Sequence, residues 1–257
     1  MTQIEKARLF HAMHTAADPL RLYNVWDAAT AQAAVRAGSQ AVATGSFSVA
    51  AAQGYADGQV IPYDFLLRII SRITACVDVP VSVDFECGYA DDDAALAKNI
   101  RALIDVGVVG INFEDQDLET SGLVPIEQQS YRIRVIGDAA KQAGVPLFIN
   151  ARTDLFLQEK DSTRHEARLS DAERREAAYR AAGASGFFAP GLGQMDLIKR
   201  LAKTTGLPLN VMFGSIVGDA KTIATSGVSR ISHGPGPYRQ LMDAFENAAV
   251  TALKTED

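Results

Sequence analysis

Three carboxylates raise the question of what this sequence can do. Asp84 and Glu86 stand one residue apart in "VPVSVDFECGY" (79–89), straight after an apolar run, and Glu114 closes a second such run, "GVVGINFED" (107–115). Alternate side chains of a strand share a face, so Asp84 and Glu86 are expected to point the same way. Like charges that close repel, and burying them unpaired is costly, so something positive should lie between them. A hard, all-oxygen donor set suits Mg2+, with Mn2+ as the alternative, and Mg2+ keeps waters through which some of these acids can act. The competing account makes them solvated loop acids or partners of Arg152.

Arg152, in "INARTD", can bind a substrate carboxylate or phosphonate bidentately, or else close a rim salt bridge with Asp154 or Glu114. The turn "ATGSFS" offers Thr44, Gly45 and Ser46, whose backbone N–H groups could cradle an anion. Metal, arginine and turn together suit a small dianionic acid chelated through a 2-oxo group, with the metal stabilising an enolate as a neighbouring bond breaks. His233 is either an acid or base, or a rim histidine bonded to backbone. Cys87 is expected to point opposite to Asp84 and Glu86, as a small packed residue beside Gly88. His11 and His14 are expected at the surface, and His165 in a solvated charged stretch.

The elements that must position these groups are legible in the apolar pattern. Eight strand candidates occur, at 20–27, 39–46, 80–86, 107–115, 146–154, 183–190, 207–212 and 228–234. Between them lie helical spacings such as "YDFLLRIISRITACV" and "DAALAKNIRALIDV", and phrases such as "DVGVVGI" and "RAAGASGF" end a helix on glycine before the next strand. Alternation of this kind demands parallel pairing, and eight units favour a closed (β/α)8 TIM barrel spanning 1–257 as one domain over an open doubly wound sheet. No "GxGxxG" or "GxxxxGK" follows the first strand, which weakens dinucleotide and P-loop readings. In a barrel the site lies where strands end. Those ends read Asp27; Thr44 to Ser46; Asp84 and Glu86; Glu114 and Asp115; Asn150, Arg152 and Asp154; Asn210; Ser232 and His233.

Composition bounds the partners. The 257 residues are 47% hydrophobic and 22% charged, with net charge −6 and no long basic run, which argues against nucleic acid or an anionic membrane. The N-terminus lacks the apolar core of a signal peptide, and no segment is expected to span a membrane. Two cysteines, Cys76 and Cys87, are too few for a disulfide framework, so a cytoplasmic setting is expected.

Nearly the whole chain resembles the isocitrate lyase/phosphoenolpyruvate mutase superfamily. The likeness rests on "TGSFSVAAAQGYADG", "VPVSVDFECGYAD", "GVVGINFEDQ", "INARTD", "YRAAGASGFFAPG", "LPLNVM" and "RISHGPGPYR", in that order. The resemblance implies a (β/α)8 barrel, a homodimer or homotetramer whose last helix is exchanged between subunits, and Mg2+ chemistry on 2-oxo or 2-hydroxy acids. By motif, Asp84, Glu86 and Glu114 match metal-binding acids, and Asp57 matches an acid near metal and substrate. Thr44, Gly45 and Ser46 match the turn that holds the substrate's anionic end, Arg152 the substrate arginine, and Asn210 a polar position of some lyases.

The departures lie in the segment 116–129, where the family carries its distinguishing catalysts on a mobile lid. The lyases have Lys-Lys-Cys-Gly-His there and the P–C enzymes have lysine and asparagine, whereas this chain reads "QDLETSGLVPIEQQ". Pro190 also falls where those groups have histidine or glutamate. The expected activity is Mg2+-dependent C–C cleavage of a small 2-oxo or 2-hydroxy dicarboxylate through an enolate. The alternatives are P–C mutase or hydrolase chemistry, and an oxo-acid-binding barrel without catalysis. The tail "PYRQLMDAFENAAVTALKTED" has apolar residues at helical spacing, including Leu241, Phe245, Ala248 and Leu253, able to pack on its own barrel or a neighbour's.

Overall fold

A computed structural model describes residues 1–214, 222–223 and 225–254. All eight expected strands form, each shorter than its apolar run: β1 (Leu20–Leu22), β2 (Val42–Ala43), β3 (Val81–Asp84), β4 (Gly110–Glu114), β5 (Phe148–Arg152), β6 (Gly186–Phe188), β7 (Leu209–Met212) and β8 (Arg230–Ser232). The helices are α1 (Gln3–Ala12), α2 (Ala28–Arg36), α3 (Ser46–Ala52), α4 (Tyr63–Cys76) and α5 (Asp93–Asp105). They continue with α6 (Ile126–Gln142), α7 (Leu155–Gln158), α8 (His165–Ala181), α9 (Met195–Thr204) and, last among those described, α10 (Gly236–Leu253). The strands pair in parallel around the order β1-β8-β7-β6-β5-β4-β3-β2, and a single bridge from Val25 to Thr44 joins the ends into a (β/α)8 barrel.

Local chemistry explains the units. Helix α4 buries Leu66, Ile70 and Ile73, and α5 buries Leu96, Ile100 and Leu103, so each lays one apolar stripe against the strands. Gly107 and Gly183 take φ of 100° and 101°, the left-handed turn that ends α5 and α8 and feeds β4 and β6.

The barrel interior is plugged from below by aromatic rings. Phe10 meets Phe148 edge-on at 5.4 Å between centroids, and His14 stacks on Phe148 at 3.9 Å. Gly110 makes room, since a Cβ there would lie 2.6 Å from the Phe10 ring. His14 is therefore a plug residue and not the surface residue expected: burial, with Arg230 adding, depresses its pKa to about 3 and keeps it neutral. His165 is likewise buried, bonded to the Glu159 carbonyl at 2.7 Å and packed on Phe156. His11 alone of these three is only partly covered, with Nε2 3.1 Å from the Pro146 carbonyl.

Above the plug the interior turns polar. Asn150 donates to Asn112 at 2.9 Å, Asn210 donates to Ser232 at 3.2 Å, and Arg230 donates to both Asn112 and Ser232. Strand register then sets Asn112 beside Asp84 and Glu114 beside Arg152, so the uppermost interior layer is charged.

Candidate active site

The barrel mouth holds a cavity of about 200 Å3. One wall carries Gly45, Ser46, Asp57, Asp84 and Arg152, while the opposite wall is made largely of Phe188, Pro190, Met212, Ser232 and Pro235. Asp84 ends β3, where its Oδ2 accepts from the Ser46 N–H at 3.1 Å and its Oδ1 faces the Asn112 amide at 3.4 Å. Thr44 braces the same strand end by accepting the Asp84 N–H on Oγ1 at 3.0 Å. The turn at 44–46 thus spends its donor on Asp84 and lines the cavity with Gly45 and Ser46.

Glu86 lies buried behind Asp57 and Asp84, outside the cavity lining, and arrives there by a route that strand alternation does not describe. Strand β3 stops at Asp84, and Glu86 takes φ of 49°, a left-handed turn in the chain. Its carboxylate accepts the Gln59 N–H at 2.7 Å and the Tyr89 hydroxyl. Burial raises its pKa to about 7 against the Tyr89 bond, with Asp84 and Asp57 adding repulsion. Asp57 is raised for the same two reasons, burial first and Asp84 second. Asp57, Asp84 and Glu86 are thus mutually repelling acids at one edge of the mouth.

Glu114 and Arg152 tell a different story. Arg152 places Nη1 2.6 Å from Glu114 Oε2, and its Nε and Nη2 donate to Asp154 at 2.6 and 2.9 Å. Asp84 is 4.0 Å from Nη1. Burial works against charge on the guanidinium, but Glu114, Asp154 and Asp84 outweigh it and hold its pKa far above neutrality. Burial likewise raises the Glu114 carboxyl, opposed by Arg152. Arg152 is thus the positive group between β4 and β5, closing the rim salt bridge with Asp154 and Glu114 while still bordering the cavity.

The other expected positions are distributed as follows. Asn210 is buried behind Ser232, beneath the cavity floor. His233 stands outside the cavity, with Nδ1 3.0 Å from the Leu22 carbonyl and its ring between Tyr23 and Phe213, the backbone-bonded rim position. Cys87 is buried, as expected of a packed residue, with Sγ 3.5 Å from Glu114 and 3.1 Å from the Gln116 carbonyl. Burial, and then Glu114, push its thiol pKa far up, which makes it inert. Segment 116–129 is a short hairpin followed by the start of α6: Gln116 bridges Leu123, and Asp117 N–H donates to the Gly122 carbonyl at 2.9 Å.

Two cavity-lining positions were missed from sequence. Arg239, in the first turn of α10, borders the cavity with its guanidinium 4.8 Å from the Phe47 ring centroid. Asn112 supplies the floor beside Asp84. The signal for Asn112 was present: "GINFE" alternates Gly110, Asn112 and Glu114 on the interior face.

Among the described residues no three His, Cys, Asp or Glu side chains converge at metal-ligand spacing. No described helix is long and apolar enough to cross a membrane.

Comparison with known proteins fits this architecture. A family model described as phosphoenolpyruvate phosphomutase matches residues 10–253. An uncharacterized protein of Mycobacterium tuberculosis is 30% identical over 242 residues, covering 93% of this chain and 87% of that one. The 2-methylisocitrate lyase of Escherichia coli is 28% identical over 210 residues, covering 79% and 68%. Among solved structures, a candidate phosphonomutase from Burkholderia cenocepacia superposes with a TM-score of 0.93 at 39% identity, covering 98% of this chain and all 100% of that one.

Proposed function

The chain belongs to the phosphoenolpyruvate phosphomutase family, within the isocitrate lyase/phosphoenolpyruvate mutase superfamily, and from that premise we propose that it is a Mg2+-dependent carbon–carbon lyase. Its substrate is a small 2-oxo or 2-hydroxy dicarboxylate, and the reaction passes through an enolate. The observation that carries this reading is the cluster of Asp57, Asp84 and Glu86, whose mutual repulsion leaves one edge of the cavity short of positive charge.

That edge fits a hard divalent cation. Its donors are all oxygens, and Arg152 is already matched by Glu114 and Asp154. Asp84 would hold the ion, with Asp57, Glu86 and Glu114 as the surrounding acids that would balance its charge, in keeping with an ion that retains much of its hydration. The cation, Mg2+ or Mn2+, would supply charge to hold the oxo-acid oxygens and offset an enolate.

The protein residues do the rest. Ser46 and Asn112 hold the Asp84 carboxylate in place from two sides. Arg239 meets the far anionic end of the substrate, since the Phe47 face fixes its guanidinium while leaving the donor edges free. Phe188, Pro190 and Met212 exclude water from the opposite side.

The cavity's described lining includes no histidine, lysine or cysteine. Retro-aldol cleavage needs a base to take the hydroxyl proton, for which the lining offers only carboxylates already assigned to the cation, whereas loss of CO2 from a 3-carboxy-2-oxo acid delivers the enolate without one. We therefore favour decarboxylation, in which the C–C pair moves into the enolate and water protonates the carbon. P–C cleavage is the second reading, favoured by the 39% identity to the Burkholderia cenocepacia protein. A panel of oxaloacetate, a citramalate-type hydroxy acid and phosphonopyruvate separates them. Mg2+-dependent CO2 and pyruvate from oxaloacetate supports the proposal, phosphate from phosphonopyruvate supports the second reading, and turnover unchanged by EDTA contradicts both.

Assembly as a homodimer or homotetramer belongs to the same proposal. Helix α10 leaves Leu241, Phe245 and Leu253 51%, 67% and 82% exposed, an apolar face suited to a second copy of this chain. Light scattering tests it, and a monomer mass at working concentration ends it.

A further inference from the structure

Arg230 is a positive charge sealed inside the barrel without an acid to match it. The other two well-buried arginines contrast with it: Arg152 pairs with Glu114 and Asp154, and Arg175 pairs with Asp115 at 2.9 Å. Arg230 is 0% exposed, and its hydrogen bonds go to neutral oxygens, Ser232 Oγ and Asn112 Oδ1, both at 3.2 Å. Its Nη1 meets no acceptor among the described residues. Burial pulls its pKa down to about 9 and Asp84 pulls it back, so it remains a cation at neutral pH. A buried charge left unpaired is strongly destabilising, and a fold that keeps one here calls for a reason.

The hydrogen bonds around it supply that reason. Asn112 Oδ1 is occupied by Arg230 and by Asn150 Nδ2, so the Asn112 amide nitrogen is left facing Asp84 Oδ1. Asn112 and Ser232 are also floor residues of the mouth cavity. Asn112 and Ser232, each bonded to Arg230, thus connect its charge to the cavity floor.

We propose that Arg230 is a positioning residue that acts through Asn112 and Ser232, a fixed cation beneath the floor that orients the Asn112–Asp84 edge and favours negative charge on a bound oxo-acid. It thereby strengthens anion binding at the cost of weaker divalent-cation binding. This rests on the reading of the mouth as a site for a divalent cation and an oxo-acid.

The test is the direction of two binding constants in the full-length protein. Mn2+ affinity is read by electron paramagnetic resonance and oxalate affinity by calorimetry at saturating Mn2+, for wild type, R230M, R230Q and R230K. In R230M, Mn2+ binding tightens and oxalate binding weakens, each by about tenfold for removal of one buried charge. R230K, which keeps the charge, returns both constants toward wild type. A role confined to structure weakens both ligands together in R230M, and that result overturns the proposal. R230Q, which can still donate to Asn112, replaces R230M if methionine is not tolerated. If none of the three variants folds, Arg230 is a folding residue and the proposal falls. Absence of Mn2+ and oxalate binding in wild type refutes the underlying reading instead, so the two failures are distinguishable.

Discussion

The two walls of the mouth are built from the same kind of βα unit and do opposite things. The β2–β5 wall presents Asp57, Asp84 and Arg152 with Glu86 and Glu114 buried behind them, and the shifts of Asp57, Glu86, Glu114 and Arg152 arise from burial combined with neighbouring charge. Among the described residues the β6–β8 wall is nearly neutral at the cavity, with Phe188, Pro190, Met212 and Ser232, while the charge of Arg230 lies beneath the floor. Chemistry and shape are thus divided between halves of one barrel. On the proposed reading, the charged wall sets the class of reaction and the neutral wall, with Arg239 at the rim, sets which molecule fits.

The sharpest way to break this division is Asp84→Asn. It removes the charge at the centre of the acidic wall, and turnover of the best panel substrate should fall by about a thousandfold, measured as initial rates at saturating Mg2+. Full activity in that variant would move the chemistry off this wall.

Next in size is Arg152→Met, which strands Glu114 and Asp154 without their partner. Breaking a buried pair this way should cost about 3 kcal/mol or more of stability, read from urea denaturation midpoints. A loss of activity with unchanged stability would instead make Arg152 a substrate ligand whose salt bridges are dispensable.

The pH dependence of the metal-free protein is the third discriminator. Glu86 titrates at about 7 in the fold against an ordinary 4.5, so between those values the folded chain holds a proton that the unfolded chain has lost. Stability must therefore fall as pH rises through that window, by on the order of 2 kcal/mol, with the raised Asp57 and Glu114 acting in the same sense. Excess Mg2+ should stabilise more at pH 7 than at pH 5, since it replaces the proton as counter-charge. Thermal denaturation with and without Mg2+ checks both signs, and a rise of metal-free stability over this window would refute the acidic-edge account.

The smallest effect belongs to the rim. Arg239→Gln should raise KM for a dicarboxylate by about tenfold and leave kcat within about twofold, since a charge-assisted hydrogen bond to a remote carboxylate contributes mainly to binding. An equal loss in kcat would place Arg239 at the reacting centre.

How far the sequence reached follows the same division. The barrel was legible because short apolar runs, helical stripes and terminal glycines such as Gly107 repeat, and repetition averages out local error. Asp84, Glu114 and Arg152 were legible because strand ends in a barrel converge. Period-two logic failed at Glu86, where the chain turns left-handed two residues past the end of β3. Charge-based reasoning failed at His165, since a histidine among Glu, Lys and Arg reads as solvated although its ring packs on Phe156. Arg230 was missed because an arginine opening a strand reads as a boundary, and only the closed barrel turns that residue inward. The alternation in "RIS" and "GINFE" held the clue, but it becomes informative only once both faces of the strand are known to be covered.

The claim that the acidic wall exists to hold a divalent cation is tested most directly by a crystal structure of the protein grown with Mg2+ and oxalate. The account predicts a cation about 2.1 Å from an Asp84 carboxylate oxygen, with oxalate completing its shell and extending toward Arg239. A cavity filled by solvent alone, with Asp84 still tied to Ser46 and Asn112, would contradict it.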